Sequence, residues 1–93
     1  MSNAAKRYMS RIVEQGCALC LHLGYGETPA EIHHIRAGQG GQQRASDWLT
    51  LPLCPDHHRG THGIHGDRAA FRNAGVGELD LLADTISRFV GRR

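Results

Sequence analysis

Residues 51–60, LPLCPDHHRG, join an extended apolar run to a helical one through a cysteine, a proline and two adjacent histidines. The run DWLTLPLC, 47–54, reads as a strand. Pro52 places it at a sheet edge or an irregular end, because proline gives no N–H to a ladder. From Pro55 the pattern turns helical but is interrupted at Gly60, Gly63 and Gly66. Upstream, AEIHHI, 30–35, reads as a short strand carrying a second pair, His33 and His34. Between the strands lies GQGGQQRAS, 38–46, a polar glycine-rich loop.

Outside this centre the pattern is helical. AKRYMSRIVEQ, 5–15, places Tyr8, Met9, Ile12 and Val13 at helical spacing, and Gly16 is a helix stop. The glycines and Pro29 of CALCLHLGYGETPAEIHHI, 17–35, suggest turns. DRAAFRN, 67–73, is a helical piece ending at Gly75. The last segment, GELDLLADTISRFVGRR, spaces Leu79, Leu82, Ile86 and Phe89 or Val90 on one helical face, predicted to be core. The expectation is one α+β domain over 1–93, with a core at about 17–75 and a C-terminal helix at about 78–91.

Ninety-three residues with 40% hydrophobic content and few aromatics make a thin core, of a size that generally needs a disulfide, a metal or a partner. Three cysteines fit a disulfide framework poorly. No run spans a membrane and no secretory leader is visible, so a soluble protein in a reducing compartment is expected. A net charge of +2 permits nucleic-acid binding without requiring it. The seven histidines all fall between His22 and His65, and histidine is the commonest metal ligand.

Cys17 and Cys20 are separated by two residues, and Cys54 and His57 repeat that spacing. Two such hooks supply four ligands for a tetrahedral structural zinc and leave no cysteine over. The zinc would pin the N-terminal segment to the end of the second strand.

Setting that group aside leaves, besides His22, a second set of His33, His34, His58, His62 and His65, with Asp47 between. Here EIHHI, a loop, LPLCPDHH and a later IHGD resemble the HNH, or His-Me finger, nucleases. The order CxxC, HHI, GxGG, PLCxxHH and a histidine before an AF helix is more closely similar to phage recombination-enhancement proteins, the Ref-type RecA-dependent nucleases. The similarity runs from Cys17 to about Phe71. It implies a ββα-metal unit of two strands and a helix around one catalytic ion, with flanking helices and the zinc knuckle added. It also implies DNA as substrate, a RecA-coated filament as a partner, and the cytoplasm of a bacterial host as the location.

The resemblance implies that His34 is the general base and that His33 and His58 hold a divalent ion, Mg²⁺ or Zn²⁺. Aligning IHGDRAAF with the family's helix favours His65 as the next ligand. The i, i+4 spacing from His58 offers His62 instead. No asparagine lies between the two histidine pairs, and Asp47 is the nearest polar candidate to orient the loop or ligate the metal. It could equally be an ordinary turn residue. Arg36, Arg44 and Arg59 sit beside the site and could each clamp a phosphate. One geometric difficulty stands. Neighbours on a regular strand face opposite ways, so His33 and His34 share a site only where the strand ends, bulges or bends.

The glycine-rich loop lacks the Lys-Ser/Thr ending of a nucleotide-binding loop, and no HExxH of a zinc protease occurs. The alternative to a DNA nuclease is a non-enzymatic zinc module binding nucleic acid or protein. Such a module has no use for an unligated histidine beside a metal ligand.

Overall fold

The computed structural model describes residues 2–41 and 43–91. Gln42, inside the predicted glycine-rich loop, and residues 1, 92 and 93, at the ends of the predicted domain, lie outside the described residues. The order is α1 (Asn3–Val13), α2 (Ala18–His22), β1 (Glu31–His34), β2 (Thr50–Leu53), α3 (Pro55–Arg59), α4 (Ala69–Ala74) and α5 (Glu78–Gly91). This is a small α+β fold.

Helix α1 begins where the Ser2 side chain accepts the Ala5 N–H at 3.0 Å, an N-cap that satisfies an otherwise orphan donor. It buries Ala5, Tyr8 and Ile12. Gly16, at φ 88°, then turns the chain, and its bare Cα lets Glu27 and Thr28 approach; a Cβ there would sit 3.0 Å from their backbone. The next segment is more ordered than the predicted turns. Cys17 caps α2, its Sγ accepting the Cys20 N–H at 3.4 Å, so the first CxxC is itself one helical turn.

Strands β1 and β2 pair antiparallel, His33 opposite Leu51 and His34 opposite Thr50. Strand β2 is shorter than the predicted 47–54. Residues 46–49 close a turn instead, with Leu49 N–H on the Ser46 carbonyl at 2.9 Å and Thr50 Oγ1 on the Asp47 carbonyl at 2.9 Å. A two-stranded sheet has only edges, which is how Pro52 is accommodated. Every residue of β2 is buried, because α1, α2 and α5 all pack on it. Leu51 and Leu53 join Cys17, Leu19, Ile35, Ile64, Phe71, Leu81 and Leu82 in one core cluster.

Helix α5 buries only part of its predicted apolar stripe: Leu82 joins the core and Phe89 is half-buried against Tyr8, but the inward face is rotated from the rest. Glu78, Leu81, Leu82 and Thr85 are buried, whereas Leu79, Ile86 and Val90 are exposed. The cause is Glu78. Its carboxylate accepts the backbone N–H groups of Arg36 and Ala37 at 2.8–3.0 Å and so fixes the rotation of the helix.

Truncating the residue the structure buries should therefore cost far more than truncating the residue the stripe suggests. Leu81→Ala is expected to lose about 2–5 kcal/mol, and Leu79→Ala no more than about 0.5 kcal/mol, in equilibrium urea denaturation. Equal or reversed costs would place the other face in the core.

Candidate active site and metal centres

The two hooks meet. The cap and first turn of α2 supply Cys17 and Cys20, and the cap and first turn of α3 supply Cys54 and His57. His57 Nδ1 lies 3.5 Å from Cys17 Sγ, 3.5 Å from Cys20 Sγ and 3.4 Å from Cys54 Sγ. Cys20 Sγ and Cys54 Sγ are 4.0 Å apart. A tetrahedral zinc with ordinary Zn–S and Zn–N bonds has edges of roughly 3.8 Å between sulfurs and roughly 3.5 Å from sulfur to nitrogen. The donor set therefore fits zinc in kind and in spacing. Burial pushes the Cys17 and Cys54 thiols up and the His57 ring down. Zinc binds thiolates, so filling this site would displace the thiol protons and make its affinity depend on pH.

The second cluster is built of histidines. His33 on β1, His58 on α3 and His65 in the coil after it present ligand atoms within 4.8 Å of one another, with ring centroids 4.8–5.2 Å apart. Each of the first two rings has its other nitrogen tied to a carboxylate. His33 Nε2 lies 2.5 Å from Glu78, and His58 Nδ1 lies 2.6 Å from Glu31. Carboxylates behind imidazoles fix ring orientation and tautomer, the pattern found behind metal-ligating histidines. Burial raises the Glu78 pKa, but the His33 and backbone N–H bonds outweigh it and hold the carboxyl below its usual range. Glu31 is held low by Arg59 and His58. Burial, helped by the charges of His33 and His58, pushes His65 down, toward the neutral form a metal binds.

A tight coil decides which later histidine arrives. The N–H of His65 donates to the His58 carbonyl at 3.0 Å, and Ile64 N–H to the His57 carbonyl at 2.8 Å. The chain passes so close that a Cβ on Gly63 would lie 2.6 Å from the Asp56 carbonyl oxygen. Folded back this way, His65 reaches His33 and His58. His62 is exposed and faces Asp67 at 3.1 Å, outside the cluster.

His34 leaves the last paired position of β1 and turns toward the 46–49 turn, where its Nε2 lies 2.8 Å from Asp47 Oδ1 and 2.8 Å from Arg44 Nη2. One nitrogen cannot serve both: an Nε2–H donates to Asp47, whereas a bare Nε2 accepts from Arg44. The His34 bond holds the Asp47 carboxyl below its usual range against the effect of its burial. The strand is regular, yet His33, His34, Arg36, Arg44, His58 and His65 all line one cleft of about 360 Å³. The cleft wraps the end of β1, so two side chains leaving in different directions both border it.

The three arginines differ. Arg36 lines the cleft with an exposed side chain. Arg44 is 63% exposed beside His34. Arg59 is already held by Glu31 at 2.7 and 3.0 Å. Glu78 and Glu31, both central to the geometry, escape a reading by spacing. They lie 45 and 27 residues from the histidines they hold, and no local signal marks either.

A protein-family model described as recombination enhancement, RecA-dependent nuclease, matches residues 2–87. No curated protein and no solved structure gave a match.

If the Cys17, Cys20, Cys54 and His57 group holds zinc, the purified chain should retain one tightly bound ion through dialysis. Cys17→Ser should lose it together with several kcal/mol of stability. Elemental analysis beside thermal melting checks both, and a well-folded chain without zinc would rule the assignment out.

Proposed function

The chain belongs to the recombination-enhancement, RecA-dependent nucleases, and from that premise we propose that it is an HNH-type, metal-dependent endonuclease hydrolysing phosphodiester bonds in DNA. The observation that carries this reading is the cleft itself. It places a three-histidine cluster backed by carboxylates beside a fourth, separately held histidine. We assign it to phage- or prophage-associated recombination in the cytoplasm of a bacterial host, acting on DNA that a RecA filament presents. No helix among the described residues is long and apolar enough to cross a membrane.

His33, His58 and His65 would hold the divalent ion, Mg²⁺ or Zn²⁺, with Glu78 and Glu31 fixing two of the rings from behind. All-imidazole ligation favours zinc over magnesium among the two, since magnesium prefers oxygen donors. When bound, the ion supplies Lewis acidity at the phosphate and charge stabilisation for the leaving oxygen. His34 is the general base. Its Nε2–H donates to Asp47, which leaves Nδ1 bare to take the proton from the attacking water. Asp47, kept ionised by that bond, offsets the positive charge the ring then carries. In this reading it does the orienting work of the family's asparagine, through its bond to His34. Arg44 cannot donate to the same nitrogen in this tautomer; it keeps a long ion pair with Asp47 at 3.5 Å, and its remaining N–H groups can meet a phosphate oxygen. Arg36 borders the same opening, while Arg59 serves mainly to brace Glu31. Cys17, Cys20, Cys54 and His57 carry no step; they hold α2 against α3.

His34→Ala should lose about 10²–10⁴-fold in single-turnover cleavage while retaining fold, metal content and DNA affinity. A variant cutting at the native rate would remove His34 from the mechanism. Among the ligands, His65→Ala should abolish cleavage and lower occupancy of the second ion with the zinc undisturbed, whereas His62→Ala should remain active. The opposite pair of results would move the ligand to His62.

A further inference from the structure

Helix α1 carries Lys6, Arg7 and Arg11 and no acidic residue within Asn3–Val13. All three side chains are exposed, and none is engaged in an ion pair among the described residues. They border a groove of about 760 Å³ whose floor is aromatic. Trp48, 47% exposed, lies against Tyr8 with centroids 5.2 Å apart, and Tyr8 meets the Phe89 ring edge-on at 4.9 Å. The groove is not isolated. Lys6 and Ser10 also line a second depression that contains His34 and Arg44, and those two border the catalytic cleft. A continuous path thus runs from Trp48, past α1, to the proposed general base.

We propose that this path is a track for a single DNA strand, with an unpaired base stacked on Trp48 and its phosphates against Lys6, Arg7 and Arg11. The inference rests on the nuclease reading and adds to it the form of DNA that enters. Cationic side chains alone would suit any polyanion. The exposed indole narrows the choice, because a duplex hides its base faces within the stack and a single strand presents them. Basic side chains flanking an aromatic platform are the means by which unpaired strands are held without sequence preference. Trp48 also follows directly on Asp47, the residue that holds His34. A strand anchored at Trp48 is therefore fixed relative to the site of cleavage. Tyr8 packs against the indole and Phe89 packs against Tyr8, while Trp48 remains 47% exposed, a ring that a base can reach.

Trp48 is the sole tryptophan, so its fluorescence reports the contact directly in the intact native chain. Titration with an oligothymidylate of about 10 nucleotides should quench the emission saturably, and a blunt duplex of equal length should bind at least tenfold more weakly. Trp48→Ala should weaken oligothymidylate binding about 5- to 150-fold, followed by anisotropy of a labelled oligonucleotide, and Trp48→Phe should restore most of it. Arg7→Gln with Arg11→Gln, at exposed positions that leave the core alone, should flatten the dependence of log affinity on log salt by roughly 1.4. Unchanged tryptophan emission on binding, equal preference for duplex, or an unaltered salt slope would overturn the track. Because binding is read without cleavage, a chain that quenches but never cuts contradicts the nuclease reading alone. A chain that cuts while Trp48 stays silent contradicts the track alone.

Discussion

A single buried carboxylate sets the geometry of this molecule. Glu78 stands at the start of α5 and reaches across the core to His33 at 2.5 Å and to the Arg36 and Ala37 N–H groups. Burying a charge is costly unless it is paired and hydrogen-bonded, and here the pairing partners are the end of β1 and a histidine of the site. One interaction therefore fixes the rotation of α5, the course of the chain leaving β1 and the direction of the His33 ring. Removing it would leave His33 buried with no partner and the strand end without an acceptor, so a change far along the sequence would reach the site directly.

The two side-chain clusters are linked through α3. His57 and His58 are consecutive, and neighbours on a helix point about 100° apart. His57 faces the three cysteine sulfurs, and His58 faces His33 and His65. Whatever holds His57 also aims His58. The thiol group is thus more than a substitute for a small hydrophobic core, although at this size a core does need such support. It orients the helix from which the second cluster draws one of its three rings.

Much of this was legible in the chain, and the boundary has a physical logic. Cys17, Cys20, Cys54 and His57 could be grouped because each pair sits within one turn of backbone, so spacing alone records the geometry. The two strands were visible as short apolar runs, and the family resemblance drawn from their histidine pairs agrees with the RecA-dependent nuclease match. Which of His62 and His65 joins the cluster is not legible, because it depends on a coil where the His65 N–H finds the His58 carbonyl, a contact that no periodicity encodes. Glu78 and Glu31 were invisible for a related reason: their partners are distant in sequence. The inward face of α5 is legible only in part, through Leu82, because hydrophobic periodicity assumes that the buried face is apolar. A buried acidic residue at the start of that face, Glu78, breaks the assumption, and Leu79 and Ile86 are left in solvent.

The central claim is that two chemically distinct metal sites share α3, one built on sulfur and one on imidazole. Titration of the metal-free chain with cobalt(II), followed by optical absorption, tests it most directly, because thiolate-to-cobalt charge transfer marks sulfur ligation. The account predicts one equivalent that develops the charge-transfer band and a second that adds ligand-field absorption without it. The second should disappear in His33→Ala while the first remains. A single equivalent, or a second that also carries the thiolate band, would contradict it.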